Sequence, residues 1–187
     1  MEFLYFEKPG PENTNKALEL AKKNAELLKI KYIVIASTTG DTALKSLEYF
    51  DQREYNIIVV THSFGFKENI AQEMPREIFD ILKSKGIQIV TGTMAYSGID
   101  SALKNEYRFF DFIYLFSTLL RTILCEGIKV CHEIVLMAAD SGAIPIGIDV
   151  ISIAGTSRGA DTVCLIKSAS TRAFQKARIK AILAKPL

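Results

Sequence analysis

The residues best equipped for chemistry in this chain lie in short hydroxyl- and glycine-rich bends that follow apolar runs. The first is Ser37-Thr38-Thr39-Gly40-Asp41-Thr42, which leads straight into a helical pattern. Hydroxyls, a glycine and free main-chain N–H groups at the positive end of a helix dipole are what a phosphate group requires. Gly40 would let the backbone approach such an anion closely. Asp41 is the discordant member, because its charge repels phosphate; it must point away or cap the helix. The same residue types also simply cap helices, so this bend alone leaves both readings open. It is neither a Walker A sequence nor GxGxxG.

Three further bends carry related chemistry. Thr61-His62-Ser63-Phe64-Gly65-Phe66 offers a histidine and two aromatics around a glycine. It could line a ring-binding pocket, with His62 as a proton donor and the one candidate for a catalytic role; a polar turn covering the core edge is the alternative. Thr91-Gly92-Thr93 repeats the hydroxyl–glycine pattern, and Gly155-Thr156-Ser157-Arg158-Gly159 adds two glycines and an arginine able to grip an anion with two N–H groups. Arg158 in isolation also reads as a surface residue in a turn. Several such bends in one sheet favour a small anionic ligand held where they meet.

Other constellations fall short. His132-Glu133 is followed by Leu136, so HExxH is absent, and the pair reads as ordinary surface. No GxSxG elbow occurs. Asp140 and Ser141 end an apolar helical run and either reach the ligand or cap the helix. Cys125, Cys131 and Cys164 have no CxxC spacing and sit in apolar runs, as small core residues do. With 2 histidines in the chain, no metal site is expected.

Composition narrows the class. The chain has 187 residues, 49% apolar and 24% charged, which suits one globular domain over residues 1–187. There are 23 basic and 21 acidic residues, a net charge of +2, without the basic excess of a dedicated nucleic-acid binder. The basic stretch from Lys167 onward reads as the solvated face of a final helix over 170–184. The start of the sequence is too acidic for a signal peptide, and the apolar run Phe109–Leu124 is interrupted by Asp111 and Arg121. These features predict a cytoplasmic protein with no membrane and no nucleic-acid partner. The 109–124 helix is expected to serve as a core element and a plausible contact in a homo-oligomer.

The bends must be positioned by an alternation of strands and helices. Tyr32–Ala36, Asn56–Thr61 and Ile87–Thr91 are apolar, β-branched runs of the kind buried on both faces. Helical spacing separates them, as in Ala17, Leu18, Ala21, Ala25 and Leu28. Strands and helices in alternation make βαβ units and a parallel sheet. Helices over 111–125 and 129–140 follow. Asp149–Ala154 and Thr162–Ile166 are then joined by a link too short for a helical crossover, so they should pair antiparallel. In an open parallel sheet, ligands bind beyond the carboxyl ends of the strands, where these bends lie.

Six segments together resemble the standalone proteins related to the C-terminal α/β domain of pyruvate kinase. They are Lys8–Thr14, Ala36–Ala43, Val60–Phe66, Met137–Pro145, Ala154–Thr162 and Ile182–Pro186, and the resemblance spans nearly the whole chain. It implies a three-layer α/β/α sandwich around a mixed five-stranded sheet of order 3-2-1-4-5, the last strand antiparallel. In pyruvate kinase the domain is regulatory, and a loop matched here by Ser37, Thr38, Thr39, Gly40 and Thr42 holds a sugar phosphate. Catalysis there resides in a separate (β/α)8 barrel that this length cannot also contain, so no pyruvate kinase activity is implied.

The standalone relatives hold flavin mononucleotide (FMN) in the strand-end crevice. The resemblance therefore implies FMN, with its phosphate on 37–42 and its ring against Phe64, Phe66, Met94 or Tyr96. Arg158 or His62 would polarise the ring's carbonyl edge. The chain has no tryptophan to stack on a ring. A flavin-dependent redox protein and a non-catalytic sensor of a phosphorylated metabolite are the two functions this leaves. An assembly or nucleic-acid module has only the basic tail in its favour.

Overall fold

A computed structural model describes residues 1–187. Uninterrupted β-branched runs become the central strands, and amphipathic runs become the helices that cover them. In chain order the elements are β1 (Leu4–Phe6), α1 (Thr14–Leu28), β2 (Tyr32–Ala36), α2 (Asp41–Ser46), β3 (Asn56–Thr61), α3 (Arg76–Ser84) and β4 (Gln88–Thr91). They continue with α4 (Ile99–Tyr107), α5 (Phe112–Ile123), α6 (Glu126–Asp140), β5 (Asp149–Ala154), β6 (Thr162–Lys167) and β7 (Arg178–Pro186).

All strands join one sheet of order β1-β7-β6-β5-β2-β3-β4. The block β4-β3-β2-β5-β6 is the expected five-strand order, with β2, β3, β4 and β5 parallel and β6 antiparallel to β5. The sheet has seven strands, however, not five. The tail expected to form a helix is instead a short 3-10 segment, Thr171–Lys176, followed by β7, which pairs antiparallel with β6. Beyond it β1 pairs parallel with β7, Leu4 opposite Ala184. Alanine- and lysine-rich composition favours helix locally, but the unpaired edge of β6 offers a full ladder of hydrogen bonds, and tertiary context overrides propensity.

Two apolar layers sandwich the sheet. On one face Ala17, Leu18 and Ala21 of α1, Phe50 and Leu82 pack on Ile33, Ile35, Val59 and Ile151. On the other, Ile128, Cys131, Val135 and Ala138 of α6 pack on Val34, Ile58, Val150 and Cys164. Side chains that alternate along a strand thus go to opposite layers. α6 is apolar on nearly all sides and is buried accordingly.

α5 is not the core element expected. Ser117 is its one buried residue, while Phe112 and Ile123 are 71% and 72% exposed. It rests on α6 through one side and leaves an apolar face outward. No helix is long and apolar enough to cross a membrane.

Candidate functional site

β2 is where the chain changes direction across the sheet. From β2 the chain runs through α2 to β3 on one side, whereas β5, on the other side, is reached through α6. The loop leaving β2 enters α2, whereas the loop leaving β5 turns back into β6 against the segment before α1, and a crevice is left at the carboxyl ends of the two strands. A cavity of about 540 Å³ lies there. Its walls include Ser37, Thr38, Thr39 and Thr42 from the β2 loop, Thr61 and His62 from the end of β3, and Gly155, Ser157, Arg158 and Gly159 from the β5–β6 loop. Its floor is α6, with Val130, Ile134 and Met137.

The β2 loop is rich in unused donors. The main-chain N–H groups of Thr38, Thr39, Gly40, Asp41 and Thr42 make no hydrogen bond within the protein. α2 has only six residues, so the donors this loop offers to a negative charge are these individual N–H groups rather than an extended helix dipole. Ser37 is occupied structurally: its Oγ accepts from Ala43 N at 3.2 Å. Thr61 Oγ1 donates to the Thr38 carbonyl at 3.1 Å, tying the β2 and β3 loops together. Asp41 is exposed, its carboxylate accepts from Thr39 Oγ1 at 2.7 Å, and it remains among the residues lining the cavity, so a negative charge stays at this wall.

Gly40 plays a part other than the one expected. Its φ is 95°, a left-handed value, and a Cβ there would lie 2.3 Å from Ile78 Cγ2. It is not among the residues lining the cavity. The glycine allows α3 to pack beneath the loop, and its main-chain N–H stays unpartnered with those of its neighbours.

The β5–β6 loop is held in place by the segment before α1. Asp161 is fully buried, and its carboxylate accepts from Gly10 N at 3.1 Å, Thr156 N at 3.2 Å and Thr162 Oγ1 at 2.7 Å. Thr14 Oγ1 accepts from Ala160 N at 3.0 Å. A Cβ on Gly159 would lie 2.6 Å from Pro11 Cα, so the two segments touch backbone to backbone. Thr156 spends its N–H on this clasp and does not line the cavity.

His62 is oriented by a residue that the sequence reading did not single out. Its Nδ1 donates to Glu73 Oε2 at 2.6 Å, and Lys67 pairs with the other carboxylate oxygen at 2.6 Å. Burial pushes the Glu73 carboxyl up, but hydrogen bonds from Lys67 and His62 outweigh it and hold the group below its ordinary value. With Nδ1 engaged, Nε2 is the nitrogen left for a ligand. The ring packs on Phe66, centroids 3.8 Å apart, and both residues line the cavity.

The inner wall carries Glu133, expected with His132 at the surface, and Lys129, for which no expectation was set. Glu133 and Lys129 of α6 are each 1% exposed and form an ion pair. Lys129 Nζ also donates to Ser97 Oγ at 2.9 Å, and Glu133 Oε1 accepts from Tyr96 N at 2.6 Å. Burial holds the Lys129 ammonium below its ordinary pKa, with Glu133 opposing. His132 is buried too, against Tyr96. Arg121 pairs with Glu126 at 2.8 Å. That leaves Lys45 and Arg158 as cavity-lining cations with no carboxylate partner in the protein.

The remaining expectations divide. Phe64, Gly65 and Thr93 line a second cavity of about 750 Å³, and Thr91 and Gly92 line neither. The two cavities share Phe66, Met94, Ser97 and Arg121 as common wall. Tyr96 lines the second, but its ring is buried and its hydroxyl is engaged with His132. Asp140 does not reach the crevice; it accepts from Thr171 N and Oγ1 and fixes the 3-10 segment. No group of three or more metal-ligating side chains is present. One family model matches residues 15–167, that of the pyruvate kinase alpha/beta domain.

Proposed function

The chain belongs to the pyruvate kinase alpha/beta domain family, and from that premise we propose that it binds a small phosphorylated ligand, FMN foremost, in the crevice at the carboxyl ends of β2 and β5. The observation that carries this reading is the run of unpartnered N–H groups at Thr38–Thr42, on a cavity that Arg158 and Lys45 also line. Main-chain donors and two uncommitted cations suit a phosphate dianion. The residues fit FMN: the β2 loop would hold its phosphate, while Phe66 and Met94, on the wall common to both cavities, would flank its ring. A bound flavin would supply electron or hydride transfer at that ring. His62, braced by Glu73, would present Nε2 to a carbonyl or ring nitrogen of the ligand.

A sensor of a sugar phosphate is the second reading. It is favoured by the polar lining of the first cavity, where hydroxyls outnumber aromatics. Both readings use the same phosphate locus. Titration of the purified protein with FMN, ribose 5-phosphate and inorganic phosphate, followed by thermal shift and by flavin fluorescence, tests them. A specific ligand raises the melting temperature by mass action. Thr42→Val with Arg158→Ala should reduce that rise by at least about tenfold in apparent affinity, as expected for the loss of charge-assisted bonds. An unchanged rise would remove the β2 loop from the site.

A further inference from the structure

We propose that the second cavity is the ring-binding half of the crevice and that Asp100 reads the ligand there, accepting a hydrogen bond from a ring N–H or amino group. The inference rests on the phosphate site proposed above and adds the chemistry of the ligand's other end. Asp100 is the second residue of α4 and is 6% exposed. Its Oδ2 is the one buried side-chain oxygen or nitrogen in the molecule with no hydrogen-bond partner. A carboxylate oxygen is a strong acceptor, and burying it without a donor is costly. The start of a helix tolerates the negative charge but supplies Oδ2 with no donor here. Lys104, one turn on, lies over the Tyr114 ring instead, 4.4 Å from its centroid, and forms no ion pair with Asp100.

Asp100 lines the second cavity together with Phe66, Met94 and Tyr114. The wall is mixed, but its aromatic members Phe66, Tyr96 and Tyr114, with Met94 and one buried acceptor, suit a planar heteroaromatic ring that carries an N–H edge. The main-chain donors set the direction of binding: the unpartnered N–H groups of Thr38–Thr42 belong to the first cavity, so the phosphate goes there and the ring goes toward Asp100. The two cavities adjoin at Phe66, Met94, Ser97 and Arg121, which places the two proposed ends of the ligand side by side. A phosphorylated ligand with a donor-bearing ring therefore satisfies Oδ2, and a bare sugar phosphate leaves it unmet.

Calorimetric titration of wild-type protein, Asp100→Asn and Asp100→Leu with FMN, adenosine 5′-monophosphate and ribose 5-phosphate tests this. Wild type should bind at least one of the two ring-bearing probes about 10- to 100-fold more tightly than ribose 5-phosphate. Asp100→Leu should lose that margin, leave ribose 5-phosphate binding unchanged, and melt no lower than wild type without ligand, because Oδ2 has no internal bond to lose. Asp100→Asn, close in shape, checks that any loss is not misfolding. Ring-bearing probes bound equally by wild type and Asp100→Leu would overturn the inference. So would equal loss of all three probes with a lowered melting temperature, which marks a structural residue. Wild type that binds ribose 5-phosphate as tightly as the ring-bearing probes would overturn the inference and leave the phosphate site standing; wild type that binds none of the three would overturn both.

Discussion

Tyr96 donates its hydroxyl to His132 Nδ1 across 2.7 Å, and the direction of that bond is fixed from the far side of the imidazole. His132 Nε2 lies 2.7 Å from the Ala177 carbonyl oxygen, which can only accept, so Nε2 carries the proton and Nδ1 receives. Burial holds His132 below its ordinary pKa, although the Ala177 bond opposes the shift. The unfolded chain therefore takes up a proton near pH 6.5 that the folded imidazole resists. The stability this imidazole contributes is complete above about pH 6.5 and is lost as pH falls toward and through the depressed folded value. Melting curves between pH 8 and pH 5 should show the decline, and His132→Leu should flatten it while lowering stability at every pH. Tyr96→Phe should cost about 1–2 kcal/mol at neutral pH.

The Lys129–Glu133 pair makes a prediction of opposite character. Lys129→Met strands a buried carboxylate and should destabilise the fold by about 3–5 kcal/mol in urea denaturation. Adding Glu133→Gln removes the stranded charge and keeps an acceptor for Tyr96 N. The double variant should regain more than half of the loss. A double variant as unstable as the single one would mean that packing, not charge, sets the cost.

At Gly40, strain and space act together. Gly40→Ala should destabilise by more than about 2 kcal/mol, since the φ is left-handed and the new methyl meets Ile78. Adding Ile78→Ala should relieve the clash alone and restore only part of the loss. Chemical denaturation of the three variants separates the two contributions.

Asp161 holds the β5–β6 loop to the N-terminal segment, so Asp161→Ala should loosen both. Three hydrogen bonds to a buried carboxylate disappear, and a loss of about 3 kcal/mol or more is expected. Limited proteolysis should cut between residues 155 and 159 faster than in wild type, and phosphate-ligand affinity should fall because Arg158 is no longer positioned. Unchanged cleavage would show that Thr14 and Pro11 suffice to hold the loop.

The central five strands were legible because both-face burial demands uninterrupted β-branched runs, and the short 155–161 link forces an antiparallel turn. β7 was not legible. Register shifts against β6 at Val163/Cys164 and Leu165/Ile166 break the period of two that would have marked it. The convergence of 37–42 and 155–159 on one cavity could be read from strand ends alone. The buried charges of α6 could not, because helical periodicity marks the face toward the sheet and says nothing of what covers the other. One signal was available: a helix apolar nearly all round is buried all round, so Lys129, His132 and Glu133 were its exceptions. Glu73 gave no signal, because it meets His62 only through the fold of the β3–α3 loop.

The final strand also protects the molecule from its neighbours. β6 is buried along Thr162–Ile166, and β7 mates with one of its edges. A chain cut after Ala177 would bare that edge as a ribbon of unmated amides and carbonyls flanked by Val163 and Leu165. Such a ribbon recruits the same ribbon from another copy, so truncation would trade a covered strand for open-ended, self-templating fibres.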